Sequence, residues 1–197
     1  MDDVSVFVLA GGKSSRMGED KASLTLEGKT LLARAIEVAS PLGPVRILGD
    51  PAKFAPYGDV VPDIFPGQGP LAGIHAALNN SRSILNLILA VDMPFVTTGL
   101  LRFLLRRARE SGKTVTVPRV AGQFQPLCAV YRRRFADLAE AALRANRNKI
   151  VPLFSADLTC IVEEHELVEL AFSPAMFDNL NTREEFERAT SAVRERR

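Results

Sequence analysis

The chain has 197 residues, of which 47% are hydrophobic and 24% charged, with a formal net charge of +2. That length and mix suit a single soluble domain with a sizeable core, residues 1–197, and so small a charge excludes a global basic field of the kind that holds nucleic acid. The two cysteines, Cys128 and Cys160, have no metal-type spacing and sit in apolar, strand-like runs, so buried reduced thiols are expected rather than a disulfide framework.

The N-terminus, MDDVSVFVLAGG, has no basic leader and reads as a buried strand over 5–9 rather than a signal peptide. Residues 30–40 predict an amphipathic helix with Leu31, Leu32, Ala35, Ile36 and Ala39 on one face, ended by Pro41-Leu42-Gly43-Pro44. Strands follow at 45–48 and 59–61, then a helix over 71–79 with Pro70 at its start. The apolar run 85–91 predicts a central strand buried on both faces; the longest apolar stretch, 84–91, is interrupted by Asn86 and too short to span a membrane. A helix over 97–108 capped by Thr97 or Thr98 comes next, then strands at 114–118 and 126–131. Helices are expected at 133–145, 148–155 and 182–192, with a strand at 160–162. The alternation of strands and helices predicts an α/β fold with a mostly parallel central sheet and helices on both faces. Ligands in such sheets bind beyond the carboxyl ends of the strands. A cytoplasmic protein with no membrane partner is expected.

Three motifs carry chemistry. Gly11 and Gly12 follow the first strand directly, where glycines let the backbone turn and present its N–H groups. Ser14, Ser15, Arg16 and Lys21 add donors and positive charge, as a polyphosphate requires. Neither the dinucleotide fingerprint nor the P-loop is matched: the position five before Gly12 is Phe7. Asp92, in Val91-Asp92-Met93-Pro94, puts a carboxylate where the buried strand ends; it suits a magnesium ion that also binds phosphate oxygens, or an Asx turn ahead of the next helix. The loop from Asp63 to Gly73, with three glycines and two prolines, suits close approach to a flat base, or turn chemistry alone. Gln125 opens a strand that can line a site, and Asn179-Leu180-Asn181-Thr182 precedes a helix for which Asn181 or Thr182 is a ready cap. His75 and His165 have no partner spacing and read as surface or structural; Arg132-Arg133-Arg134 reads as a solvated helix start, or as a contact for an anionic substrate.

Together these segments resemble the molybdenum cofactor guanylyltransferases, the MobA-type family of nucleotidyltransferases. The resemblance rests on LAGGKSSRMGEDK at 9–21, DIFPGQGPLAG at 63–73, VDMP at 91–94 and NLNT at 179–182, with a looser match at 125–131. It implies a Rossmann-like nucleotidyltransferase fold that joins GMP from GTP to molybdopterin with Mg2+ as cofactor. It further implies that Leu9, Ala10, Gly11 and Gly12 contact the nucleotide, that Arg16 and Lys21 hold its phosphates, that Asp63 belongs to the GTP site and that Asp92 binds the metal. Asn179, Asn181 and Gln125 would place the pterin. The family's usual asparagine after the second strand aligns with Asp50, a carboxylate that can only accept from guanine N1 and N2. The implied partners are GTP and molybdopterin, with molybdopterin-delivering or acceptor molybdoenzyme proteins as candidates, and a monomer or weak oligomer is expected. The residues alone leave open a related enzyme using CTP or a sugar phosphate, or a GTP-binding regulator without turnover.

Overall fold

The structure is a computed structural model that describes residues 4–11, 20–180, 182 and 184–186. In chain order its elements are β1 (Val4–Leu9), β2 (Thr25–Leu26), β3 (Lys29–Thr30), α1 (Leu31–Ala39), β4 (Val45–Leu48), α2 (Pro51–Phe54), β5 (Val60–Val61) and α3 (Pro70–Asn79). There follow β6 (Leu85–Ala90), α4 (Thr98–Ser111), β7 (Val115–Val120), β8 (Gln123–Phe124), β9 (Cys128–Arg132), α5 (Phe135–Arg144), β10 (Thr159–Glu163) and α6 (Glu164–Glu169).

The main sheet runs β10-β7-β9-β6-β1-β4-β5, with β8 hydrogen-bonded to β7. Strands β6, β1, β4 and β5 are mutually parallel, and β10 is parallel to β7. Only β8 and β9 run against their neighbours, so the sheet is mostly parallel as expected. Period-two alternation divides the core. Val4, Val6 and Val8 of β1 and Leu85, Leu87 and Leu89 of β6 face α1 and α4, whereas Phe7 and Ile88 face α3 and α5. Both faces are therefore covered by helices, which is why β6 is buried along its whole length. Asn86, fully buried there, donates its amide to the Tyr131 carbonyl of β9 at 3.2 Å.

Local chemistry sets the helix ends. Thr30 accepts from the Ala33 N–H to start α1, and Thr97, not Thr98, caps α4 by accepting from Leu100. Gly112, at φ 62°, ends α4 in the left-handed conformation. The helix expected over 148–155 is instead a short 3-10 turn at Val151–Leu153. Pro152 has no backbone N–H, a loss tolerated in the first turn of a helix, and the segment stops after the 3-10 turn. The strand expected from 126 begins at Cys128, because the Cys128 N–H donates to Gln125 across a turn first. The hairpin β2–β3 and helices α2 and α6 were too short for periodicity to mark. The helix expected over 182–192 has residues 184–186 helical, with the rest outside the described residues. Its cap is Thr182, which accepts from Glu185 while the Glu185 carboxylate accepts from Thr182. Cys128 and Cys160 are free thiols. Cys128 is buried, with its pKa pushed up to about 12 by that burial; Cys160, on the edge strand β10, is only half-buried, contrary to expectation. Arg132 is not a solvated helix start: it ends β9 and donates to the Ala108 and Lys113 carbonyls at the end of α4. No helix among the described residues is long and apolar enough to cross a membrane.

Candidate active site

The parallel strands β1, β4, β5 and β6 deliver their carboxyl ends to one edge of the sheet, the edge where ligands of such sheets bind. The exit of β1 is drawn onto β4: the N–H groups of Ala10 and Gly11 both donate to the Leu48 carbonyl, at 3.1 and 3.0 Å. No side chain fits between the two backbones. A Cβ on Gly11 would lie 3.2 Å from the Cα of Gly49, and one on Gly49 would lie 2.8 Å from the buried Phe54 ring. A third glycine, Gly73 of α3, closes the floor. Its Cβ would stand 2.7 Å from Leu9 Cδ1 and 3.7 Å from Asp63 Oδ1, so Leu9, Asp63 and Gly73 share one contact shell. Asp63 is exposed overall, yet this cover is enough for burial to raise its carboxyl above the usual range.

The loop before α3 turns through two left-handed glycines, Gly67 at φ 79° and Gly69 at φ 73°, and Pro70 starts the helix. The loop is braced from below. The Phe65 ring meets the buried His75 edge-on at 5.1 Å, and Arg144 of α5 lies 5.8 Å over the same ring. His75 Nε2 is 2.8 Å from the Asn79 amide and 3.6 Å from Glu140, so this histidine is structural. His165 is exposed. Gln68 carries a buried amide oxygen with no hydrogen-bond partner among the described residues.

Asp92 follows β6 at the same edge. Its carboxylate accepts from Lys21 Nζ at 2.9 Å, with both side chains about four-fifths buried. Lys21 is fixed by its neighbours: Asp20 caps the short turn Lys21–Ser23 through the Ala22 N–H and forms an ion pair with Lys53 of α2. The backbone also converges on Asp92. The Val91 N–H donates to the Leu9 carbonyl at 3.2 Å, and the Asp92 carbonyl accepts from Leu180 at 2.9 Å. The second contact ties the segment bearing Asn179 to the acidic residue. Asp50 is exposed and caps α2, accepting from the Ala52 N–H at 2.9 Å.

Beside this centre, bordered by Pro94 and Leu180, opens a cleft of about 1480 Å3. Gln125 and Asn179 both line it, as do Gln123 and Phe95. Lys21 and Asp92 lie at its margin and do not line it. The fold thus gathers Leu9, Ala10, Gly11, Lys21, Asp50, Asp63 and Asp92 around the strand ends and puts Gln125 and Asn179 in the adjoining cleft. Gly12, Lys13, Ser14, Ser15, Arg16, Met17, Gly18 and Asn181 lie outside the described residues. Gly49, Lys53, Phe65 and Gln123 were not singled out from the sequence. A glycine ending a β-branched run marks Gly49 in retrospect, and the i, i+2 spacing of two glutamines marks Gln123.

Residues 6–158 match the MobA-like NTP transferase domain. The chain is 35% identical to a probable molybdenum cofactor guanylyltransferase of Clostridium perfringens over 93% of this chain and 94% of that one. It is 36% identical to the molybdenum cofactor guanylyltransferase of Rhizobium meliloti over 92% and 88% of the two chains. Its fold is similar to the crystal structure of molybdopterin-guanine dinucleotide biosynthesis protein A from Archaeoglobus fulgidus, with a TM-score of 0.85 and 27% identity over 97% of this chain and 99% of that one. By that match and these identities, the chain belongs to the MobA-like NTP transferase family.

Proposed function

We propose that this chain transfers GMP from GTP to the terminal phosphate of molybdopterin, releasing pyrophosphate and forming the guanine dinucleotide form of the molybdenum cofactor. The observation that carries the reading is the Lys21–Asp92 pair, set between the glycine-packed strand exits on one side and a cleft roomy enough for a second substrate on the other.

The nucleotide lies along the exits of β1 and β4, where Leu9, Ala10, Gly11 and Gly12 offer backbone to it and the loop 65–69 approaches the base. Asp50 and Asp63 border the same space. A carboxylate accepts hydrogen bonds and so suits the N1–H and exocyclic amine of guanine. The acceptor lies in the cleft, held by Gln125, Asn179 and Asn181, with its phosphate toward Asp92.

The transfer needs no general base. The second pKa of a phosphate monoester is about 6, so the attacking oxygen carries its charge at neutral pH. A bond forms from that oxygen to the α-phosphorus, and the bond from the α-phosphorus to the α–β bridging oxygen breaks, with pyrophosphate as leaving group. The chain's part is positioning and charge stabilisation. Lys21 and Arg16 hold the phosphates in line and offset their charge.

Mg2+ fits Asp92. The carboxylate already accommodates a cation at 2.9 Å, and among the described residues no three His, Cys, Asp or Glu side chains converge as a full protein ligand set would. One carboxylate, completed by phosphate oxygens and water, is the arrangement magnesium accepts. Bound there, the ion would neutralise phosphate charge.

The test is pyrophosphate release with molybdopterin as acceptor across GTP, CTP, ATP and UTP. Turnover should be confined to GTP and should require magnesium. A preference for CTP overturns the base assignment. Turnover only with a sugar phosphate overturns the acceptor, and tight GTP binding without release makes the chain a sensor.

A further inference from the structure

We propose that Gln123, acting with Gln125, reads the hydrogen-bonding edge of a flat, uncharged heterocycle in the acceptor cleft and so sets acceptor specificity; the identification of that heterocycle as a pterin rests on the function proposed above. Gln123 begins β8, and its side chain and that of Phe124 point to opposite faces. The two glutamines line the cleft, whereas Phe124 packs edge-on against Phe154 at 5.5 Å and lies beneath Arg119.

For a surface hairpin this one is held unusually firmly. It turns through Ala121 and Gly122, both left-handed at φ 48° and 74°, the pair that a tight hairpin turn matched to strand twist demands. The Ala121 N–H donates to the Glu164 carboxylate at 2.7 Å, and Arg119 is clamped to Glu163 by two hydrogen bonds. The Gln125 N–H donates to the Pro118 carbonyl at 2.9 Å, and the Tyr131 hydroxyl donates to the Pro126 carbonyl at 2.8 Å. The backbone is fixed on every side, while neither glutamine amide has a hydrogen-bond partner among the described residues. Anchored backbone with open side-chain amides is the arrangement of a preorganised recognition surface.

The chemistry of the lining selects the ligand class. The charged side chains of the α1 and β2–β3 wall cancel in pairs, Lys29 with Glu37 at 2.7 Å and Arg34 with Glu27 at 3.0 Å. Beside the carboxylates of Asp178 and Glu185, which can accept from N–H donors, the lining offers a set of neutral amides, Gln123, Gln125 and Asn179, around the apolar Phe95. An amide offers one carbonyl acceptor and two N–H donors. The lactam–amidine edge of a pterin offers the complement, a carbonyl beside N–H and NH2 donors. Amide side chains pair with heterocycle edges of this kind in the bidentate reading of adenine.

The experiment is steady-state transfer with molybdopterin and GTP varied separately, on wild type, Gln123→Leu, Gln123→Glu and the double variant Gln123→Leu/Gln125→Leu, with binding of a fluorescent GTP analogue as a check on the nucleotide side. Gln123→Leu should raise the acceptor KM about three- to tenfold, the scale of one lost hydrogen bond. Gln123→Glu, whose carboxylate still accepts from the heterocycle's N–H and NH2 but cannot donate to its carbonyl, should raise it less than Gln123→Leu, and the double variant should raise it most. The kcat, the GTP KM and the analogue's Kd should stay within about twofold, as for loss of ground-state contacts to one substrate only. An unchanged acceptor KM overturns the proposal. So does a parallel rise in both KM values, which would mark Gln123 as structural. A wild type that transfers to a sugar phosphate and not to molybdopterin overturns the functional reading first, before any variant is compared.

Discussion

The two halves of the site are built by different means. On the side proposed for the nucleotide the strands are parallel and end together, and its shape comes from backbone packed without room for side chains: Gly11 on the Gly49 backbone, Gly73 against the Leu9 side chain. On the acceptor side the sheet turns antiparallel through β8 and β9, and the lining is made of side chains on a hairpin and on the irregular segment 173–180. A backbone-built half tolerates little change, because any added atom meets a neighbour. A side-chain-built half can exchange one substrate for another by substitution at exposed positions while leaving the scaffold alone. Relatives of one fold that share a nucleotide reaction and differ in acceptor would be expected to differ on this second side.

The junction of the halves gives the largest expected effect. Asp92 is joined to β1 through Val91 and to the acceptor segment through Leu180, so it belongs to both. Asp92→Ala should lower turnover by at least about a hundredfold, the scale of one lost electrostatic stabiliser. Its main-chain contacts survive, so the variant should still fold, with a melting temperature lowered by the loss of the partner of Lys21. Near-normal turnover in that variant would reject the assignment of Asp92.

Gly49→Ala tests the nucleotide half as Gln123→Leu tests the other. The new Cβ would press on Phe54, a ring 3% exposed and unable to swing clear, and would stand 3.3 Å from the Gly11 nitrogen. Overpacking of this kind costs about 1–3 kcal/mol, which for a domain of this size lowers Tm by several degrees. The displaced β1 exit should raise the GTP KM by about tenfold, because misplacement near the reacting groups is costly. The acceptor KM should hardly move. A rise in both, or in the acceptor KM alone, would erase the distinction between the halves.

The same distinction explains how much was legible in the sequence. The strand exits of the proposed nucleotide half are legible in Gly11, in the strand-end position of Asp92 and in continuous apolar strands, all local patterns, whereas residues 12–18 lie outside the described residues. Within it, Lys21 and Asp92 are each marked locally, but their pairing spans 71 residues and no local pattern shows it. The acceptor half was read only as Gln125 and the asparagine segment. Its β8 strand is two residues long, too short for alternation to show, and the Pro174–Phe177 turn has no periodic signal at all. Which side of the hairpin Gln123 faces is settled by Phe124 finding Phe154, a contact 30 residues away in the chain. At 148–155 the cause is local: Pro152 removes a backbone donor and only a 3-10 turn forms around it.

The smallest effect concerns a residue whose presence works against the fold. Burial raises the Asp63 carboxyl in the folded state above its unfolded value, about 3.9 for an unperturbed aspartate. Well below that value the group is protonated in both states and contributes nothing. As pH rises, the unfolded chain ionises first, and once pH exceeds the folded pKa the desolvation of the carboxylate weighs on the native state in full. Asp63→Asn removes that burden. Its Tm should match wild type near pH 3 and exceed it by a growing margin toward neutrality, where the margin levels off. The gain should be slight, since the residue is largely exposed and water screens its charge. Nucleotide binding should weaken in the same variant, because the carboxylate is retained to meet the ligand and not to hold the fold. Melting curves across pH, paired with binding of the fluorescent GTP analogue, decide the matter: a variant less stable than wild type at neutral pH, or one that binds nucleotide as tightly, would return Asp63 to the scaffold.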